Sequence, residues 1–148
     1  MGFDLDRFKK AQEEDYPYAL QEIKTGRKRS HWIWYIFPQL KGLGFSSMSE
    51  YYGIDGRSEA QAYIADPVLR ARLVEISQAL LTLESNNPTQ VMGYPDDLKL
   101  KSSMTLFLLV AERDSKYEKE AQVFKSVLKK FFAGEMDKQT VEMTRKEK

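Results

Sequence analysis

The apolar residues of this chain recur every three or four positions between strong helix start and stop signals, and almost never alternate. Leu69, Leu73, Ile76, Leu80 and Leu83 follow Asp66-Pro67, an N-cap residue with proline in the first helical turn. Asn87-Pro88 repeats that start for a short helix stopped at Gly93. Asp96 is placed to cap a helix reaching about Arg113; its second half, Leu106 to Val110, is apolar all round and marks the most buried helix. Ser115 and Glu118 have capping-box spacing ahead of a wide stripe, Val123, Phe124, Val127, Leu128, Phe131 and Phe132, which ends at Gly134. Asp137 is placed to cap a last helix. The pattern predicts an all-α fold: a compact, irregular helical domain of about eight or nine helices over residues 1–140. A charged tail, 141–148, is expected to fray. A small hairpin near residues 33 to 45 is the alternative to an all-helical chain.

The first third is less regular. Asp4 is placed to cap a short helix carrying Leu5, Phe8 and Ala11. Pro17 fits the first turn of a second helix with Ala19, Leu20 and Ile23 on one face, stopped at Gly26 with Lys24 in the last turn. His31 to Phe37 is apolar without clear periodicity; it reads first as a short buried helix and second as a strand, ended by Pro38. Ser47 and Glu50 have capping-box spacing, and Ser58 is placed to cap a helix over Glu59 to Ala65.

Composition narrows the chemistry. The 148 residues include 0 cysteines, which excludes disulfides, thiolate metal sites and a cysteine nucleophile. With one histidine, no His-Glu-x-x-His and no carboxylate ladder, a built-in metal site is not expected, and no motif asks for a cofactor. Net charge is +1, from 23 basic and 22 acidic residues, so general attraction to nucleic acid or acidic lipid is disfavoured. Without a window of about 18 apolar residues or a basic, apolar leader, the expectation is a soluble cytoplasmic protein with no membrane partner.

Three stretches could carry chemistry. The first, Arg27 to Gly44, holds His31, Trp32, Trp34 and Tyr35, each with an apolar body and a polar tip. Such residues line pockets that stack a planar ring and orient it by hydrogen bonds, or they pack as core with their polar tips satisfied. The second, Lys41-Gly42-Leu43-Gly44-Phe45-Ser46-Ser47, leads into a helix start, where backbone N–H groups can approach an anion; it lacks the Gly-Lys-Ser/Thr ending of a nucleotide-binding P-loop. The third runs from Tyr94 to Thr105. There Lys99 shares a helix face with Ser102 and Ser103, and Asp97 is a carboxylate beyond the one needed for capping.

The motifs H-W-x-W-x-I-F-P-Q (His31 to Gln39) and P-D-D-L-K-L-x-S-S-M-T-L-F (Pro95 to Phe107) resemble the bacterial and fungal family known as domain of unknown function 1810. The similarity extends through Gly42-Leu43-Gly44, Pro67-Val68-Leu69 and Phe131-Phe132 over nearly the whole chain. It implies a mainly helical domain and no established activity. The family often has His where this chain has Asp66, and Gly where it has Arg70. A fainter similarity links Glu59-Ala60-Gln61-Ala62-Tyr63 to NADAR domains, which act on ADP-ribose-type N-glycosides, although that motif's tryptophan and lysine have no counterparts here.

These features favour a small-ligand domain taking a nucleotide or another phosphorylated, planar-ring compound, with an enzyme acting on an ADP-ribose-type compound as its catalytic variant. His31, Trp32, Trp34 and Gln39 would face the ligand, with Lys41, Gly42, Gly44, Lys99, Ser102 and Ser103 holding an anion. Glu59, Asp97 and His31 are the acid/base candidates. The alternatives are a non-enzymatic helical interaction module and single-stranded nucleic-acid binding through Lys24 to Trp34.

Overall fold

Helix α7 (Asp96–Ala111) is the axis of the molecule, as its all-round apolar second half requires: Ser103, Met104, Thr105, Leu106, Phe107 and Ala111 are fully enclosed. The computed structural model describes residues 2–147, and nine α-helices are formed among them. Against α7 pack α8 (Glu118–Phe132), α4 (Gly56–Ala65), α6 (Pro88–Met92), α9 (Lys138–Lys146) and the single turn α2 (Ile33–Ile36). α5 (Pro67–Leu81) lies between α8 and α1 (Asp6–Lys24), and the short α3 (Ser47–Tyr52) sits beside α2. Phe107 meets Tyr63 of α4 and Phe124 of α8 with ring centroids 5.0 and 6.2 Å apart, which joins three helices at one point. None of the helices is long and apolar enough to cross a membrane.

Three start signals act as read, whereas Asp4 caps nothing and α1 follows Leu5 without a side-chain cap. Asp66 accepts from Val68 and Leu69 N–H, Asn87 from Thr89 and Gln90, and Asp137 from Thr140. Several boundaries differ. The expected break at Pro17 is absent, and α1 runs through it as one 19-residue helix. Proline removes a single N–H, and the burial of Phe8, Gln12, Ala19 and Ile23 on either side of it holds the helix together. Ser46, not Ser47, caps α3; α4 begins at Gly56, ahead of Ser58. Asp114 caps a 3₁₀ turn, Ser115–Tyr117, before α8. Asp96 does not cap α7, because its carboxylate is drawn into an ion pair described below.

No hairpin forms at 33–45. The described residues contain one isolated parallel bridge, Leu40 to Ile54, in which Lys41 N–H donates to Ile54 and Ile54 N–H to Gln39, each at 2.9 Å. It closes the base of the loop that carries Gly44 and α3. Residues 141–147 of the segment expected to fray are held in place: α9 continues through Lys146, Thr144 is buried, and the Glu147 carboxylate accepts from Arg57 N–H at 2.9 and 3.0 Å, while Lys148 lies outside the described residues.

The loop base depends on a close approach at Gly53, where a Cβ would lie 2.7 Å from Lys41 Cα and 2.8 Å from Ser49 O. Gly53→Ala must therefore push the bridge open. It is expected to lower stability by about 1–3 kcal/mol in urea denaturation; an unchanged midpoint would show that the loop base yields freely.

Candidate functional site

The two tryptophans of the aromatic run have opposite fates, because residues two apart on a helical turn point to opposite sides. Trp32 is 1% exposed, and its indole N–H donates to Glu22 at 2.9 Å. Trp34 is half-buried. Its Nε1 is buried yet has no hydrogen-bond partner among the described residues. Each indole carries a lysine over its face: Lys28 Nζ lies 4.8 Å from the Trp32 ring centre, and Lys99 Nζ 5.2 Å from that of Trp34. Both lysines turn to one carboxylate, Asp96, at 2.7 Å from Lys28 and 3.6 Å from Lys99. Trp32, Lys28, Asp96, Lys99 and Trp34 thus form one chain that ties the first motif to the start of α7. Two ammonium groups share a single carboxylate, and the closer one takes most of it. Positive charge is left on Lys99, beside an unused indole N–H.

Trp34 and Lys99 line a recess of about 10 Å³, together with Ile33, Phe37, Gln39, Ser49, Tyr52 and Gly53. It has room for about one water-sized atom. Gln39 and Lys99 also line an adjoining open groove of about 260 Å³, with Leu43, Gly44, Pro95, Leu98, Ser102, Asp137 and Gln139. Lys99 and Ser102 share the groove because they are three apart on α7. Gly44 is required for the wall: a Cβ there would lie 2.5 Å from Ser49 Oγ and 3.5 Å from Gln39 Nε2. The hydroxyl pKa of Tyr52, a lining residue of the recess, is pushed above its ordinary value by burial, with Tyr51 beside it.

Of the residues expected to face a ligand, the fold gathers Trp34, Gln39, Gly44, Lys99 and Ser102 around these two depressions. The others stand elsewhere. His31 is exposed and lines neither. Trp32 is core, so the basic turn before it has no free indole on which a nucleic-acid base could stack. Lys41 and Gly42 face solvent. Ser103, one position past Ser102, is rotated into the core, where its hydroxyl is unpartnered among the described residues.

The two carboxylate candidates for acid/base work have structural roles. Glu59 is 2% exposed and forms a forked pair with Arg7 at 2.8 and 3.2 Å, while also accepting Asp55 N–H at 2.7 Å. Asp97 accepts from the Thr89 hydroxyl at 2.6 Å and joins α6 to α7. Neither lines the recess or the groove.

Four polar lining residues were not among the site residues expected from the sequence: Ser49, Tyr52, Asp137 and Gln139. Asp137 reads as a cap and does cap α9, its Oδ2 accepting from Thr140 N–H and Oγ1 at 2.9 and 2.6 Å. Its second position, at the groove wall, follows from where α9 docks, which no local signal encodes.

Comparison with known proteins agrees with the resemblance of the two motifs. The chain matches the family model described as protein of unknown function (DUF1810) over residues 2–144. It is similar to the crystal structure of the conserved hypothetical protein Rv1873 from Mycobacterium tuberculosis, with 40% sequence identity, 97% of each chain covered and a TM-score of 0.87. No curated protein matches it.

Proposed function

This chain belongs to the DUF1810 family, and from that premise we propose that it is a small-ligand-binding domain whose ligand places an anionic group, such as a phosphate or carboxylate, against Trp34 and Lys99. The observation that carries this reading is the buried N–H of Trp34, unpartnered among the described residues, with the Lys99 ammonium over the same ring and its carboxylate shared with Lys28. Indole N–H and ammonium groups donate and never accept, so what fits between them is an acceptor, and a charged one above all. The recess takes one oxygen atom, and the carboxamide of Gln39 stands at the same wall. The groove beside it is on the small side for a ligand site, which suits a mononucleotide-sized compound rather than a dinucleotide. Binding, not turnover, is proposed, because Glu59 and Asp97 are committed to structural partners.

The test is a thermal-shift series with inorganic phosphate, sugar phosphates, nucleotides and small carboxylates. A compound at about 100 times its dissociation constant should stabilise the fold by roughly 2.7 kcal/mol, a rise of several degrees. Trp34→Phe keeps the ring and removes the N–H; Lys99→Ala removes the charge. Each is expected to weaken binding about tenfold or more, since a hydrogen bond to a charged group contributes roughly 1.5–3 kcal/mol. A flat series, or a Lys99→Ala variant that responds as the parent does, would overturn the proposal.

A further inference from the structure

Two ionisable side chains line the groove, Lys99 and Asp137, and they carry opposite charges. They do not neutralise each other. Lys99 pairs with Asp96 at 3.6 Å, and Asp137 has no cationic partner among the described residues. Asp137 is half-buried. Its Oδ2 accepts from Thr140 N–H and Oγ1 at 2.9 and 2.6 Å, which completes the cap of α9, while Oδ1 accepts no hydrogen bond from the described residues. The position of this carboxylate is fixed relative to Lys99. Asp137 N–H donates to Thr105 Oγ1 at 2.9 Å, so the start of α9 is fastened to α7, the helix that carries Lys99. Thr105 follows Lys99 on α7 by about 9 Å along the helix axis. We infer that the groove takes a zwitterion, a compact ligand whose anionic group sits at Lys99 and Trp34 and whose ammonium group sits at Asp137.

This deepens the proposed function and rests on it. Lys99 lines both the recess and the groove, so a ligand with an oxygen in the recess extends past Lys99 into the groove. There Asp137 is the remaining ionised group of the wall. A second anionic group would meet it as a like charge, whereas an ammonium group would give it the charge-assisted hydrogen bonds that Oδ1 lacks. The capping role does not account for the charge by itself, because asparagine caps a helix about as well as aspartate does. Leu43, Pro95 and Leu98 give the groove an apolar share of wall, which suits an aliphatic spacer. The ligand class is therefore an amino acid or an aminoalkyl phosphate, with a short carbon chain between the ammonium and the anion.

The test is calorimetric titration of the full chain with matched pairs that differ only in the amine. The carboxylate pairs run from glycine and acetate through 4-aminobutyrate and butyrate to 6-aminohexanoate and hexanoate; the phosphate pair is 3-aminopropyl phosphate and propyl phosphate. The parent protein is compared with Asp137→Asn, which keeps the cap and removes the charge, and with Lys99→Ala; thermal melts verify that both fold. In the pair whose spacer fits, the amino compound is expected to bind about tenfold or more tightly than its amine-free partner, as a hydrogen bond between charged groups requires. Asp137→Asn should bring that ratio to about one and leave the amine-free compound bound at least as well as before. Equal binding within every pair, or a preference that survives Asp137→Asn, overturns the zwitterion; the anion site then still stands if Lys99→Ala weakens binding of the amine-free compound. If no member of any pair binds, the anion reading fails and the zwitterion falls with it.

Discussion

Glu59→Ala is expected to lower the free energy of unfolding by about 3–5 kcal/mol, and Arg7→Ala by a similar amount. The two side chains are 3% and 9% exposed and meet at 2.8 Å. Arg7 also donates to the backbone carbonyls of Tyr51 and Gly53, and Glu59 accepts Asp55 N–H. The pair therefore fastens α1 to the end of α3 and the start of α4. Removing either partner leaves the other charge buried without compensation, which is why the loss exceeds the net strength of the pair itself. Urea denaturation of both single variants and the double variant would check it. The double variant should be less destabilised than the sum of the singles, because no uncompensated charge remains. A loss below about 1 kcal/mol in Glu59→Ala would return this carboxylate to the list of groups free for chemistry.

The second large effect belongs to Glu22, which organises the turn before the aromatic run. Its carboxylate accepts from Arg29 N–H at 2.7 Å, Ser30 N–H at 3.0 Å, Ser30 Oγ at 2.6 Å and Trp32 Nε1 at 2.9 Å. Partial burial alone would raise its pKa; the donors from Ser30, Arg29 and Trp32 outweigh burial and pull it from 4.5 down to about 2. A carboxyl depressed in the folded state stabilises the fold fully above its unfolded value, and that contribution is lost as pH falls through the folded one. The window is thus about pH 4.5 down to about 2, and the effect is about 2–3 kcal/mol after allowance for partial exposure. Stability measured at pH 7 and pH 3 should fall further in the parent than in Glu22→Gln, which has no carboxyl to titrate there. Parallel profiles would show that the four donors do not act on the charge. At pH 7, Glu22→Ala is expected to lose about 2–4 kcal/mol, since it strands the buried N–H of Trp32.

The helices were legible where a cap, a proline or an apolar stripe stood within a few residues. Asp66-Pro67, Asn87-Pro88 and Asp137 each start a helix in the structure as their sequence requires. The central place of α7 follows from a helix that has no polar face over its second half. Pro17 misleads because a local rule, one missing N–H, is overruled by distant packing. The tail misleads for the same reason: α9 packs on α7, and Thr144 is buried there.

The site divides along the same line. That the stretches 31–44 and 94–105 supply its residues was readable from residue type, because rings with polar tips, glycines and a lysine beside hydroxyls are what such sites are made of. Which member of each stretch takes part was not. Trp32 and Trp34 are equivalent by composition, and a turn of helix sends one to Glu22 and the other to the recess. Glu59 looked free until Arg7, 52 positions away, was placed on it. Most helices and their buried faces were readable locally, since periodicity and capping act over one or two turns. The tertiary structure alone decided which polar groups were satisfied and which were left available, because that depends on partners brought together across the whole chain.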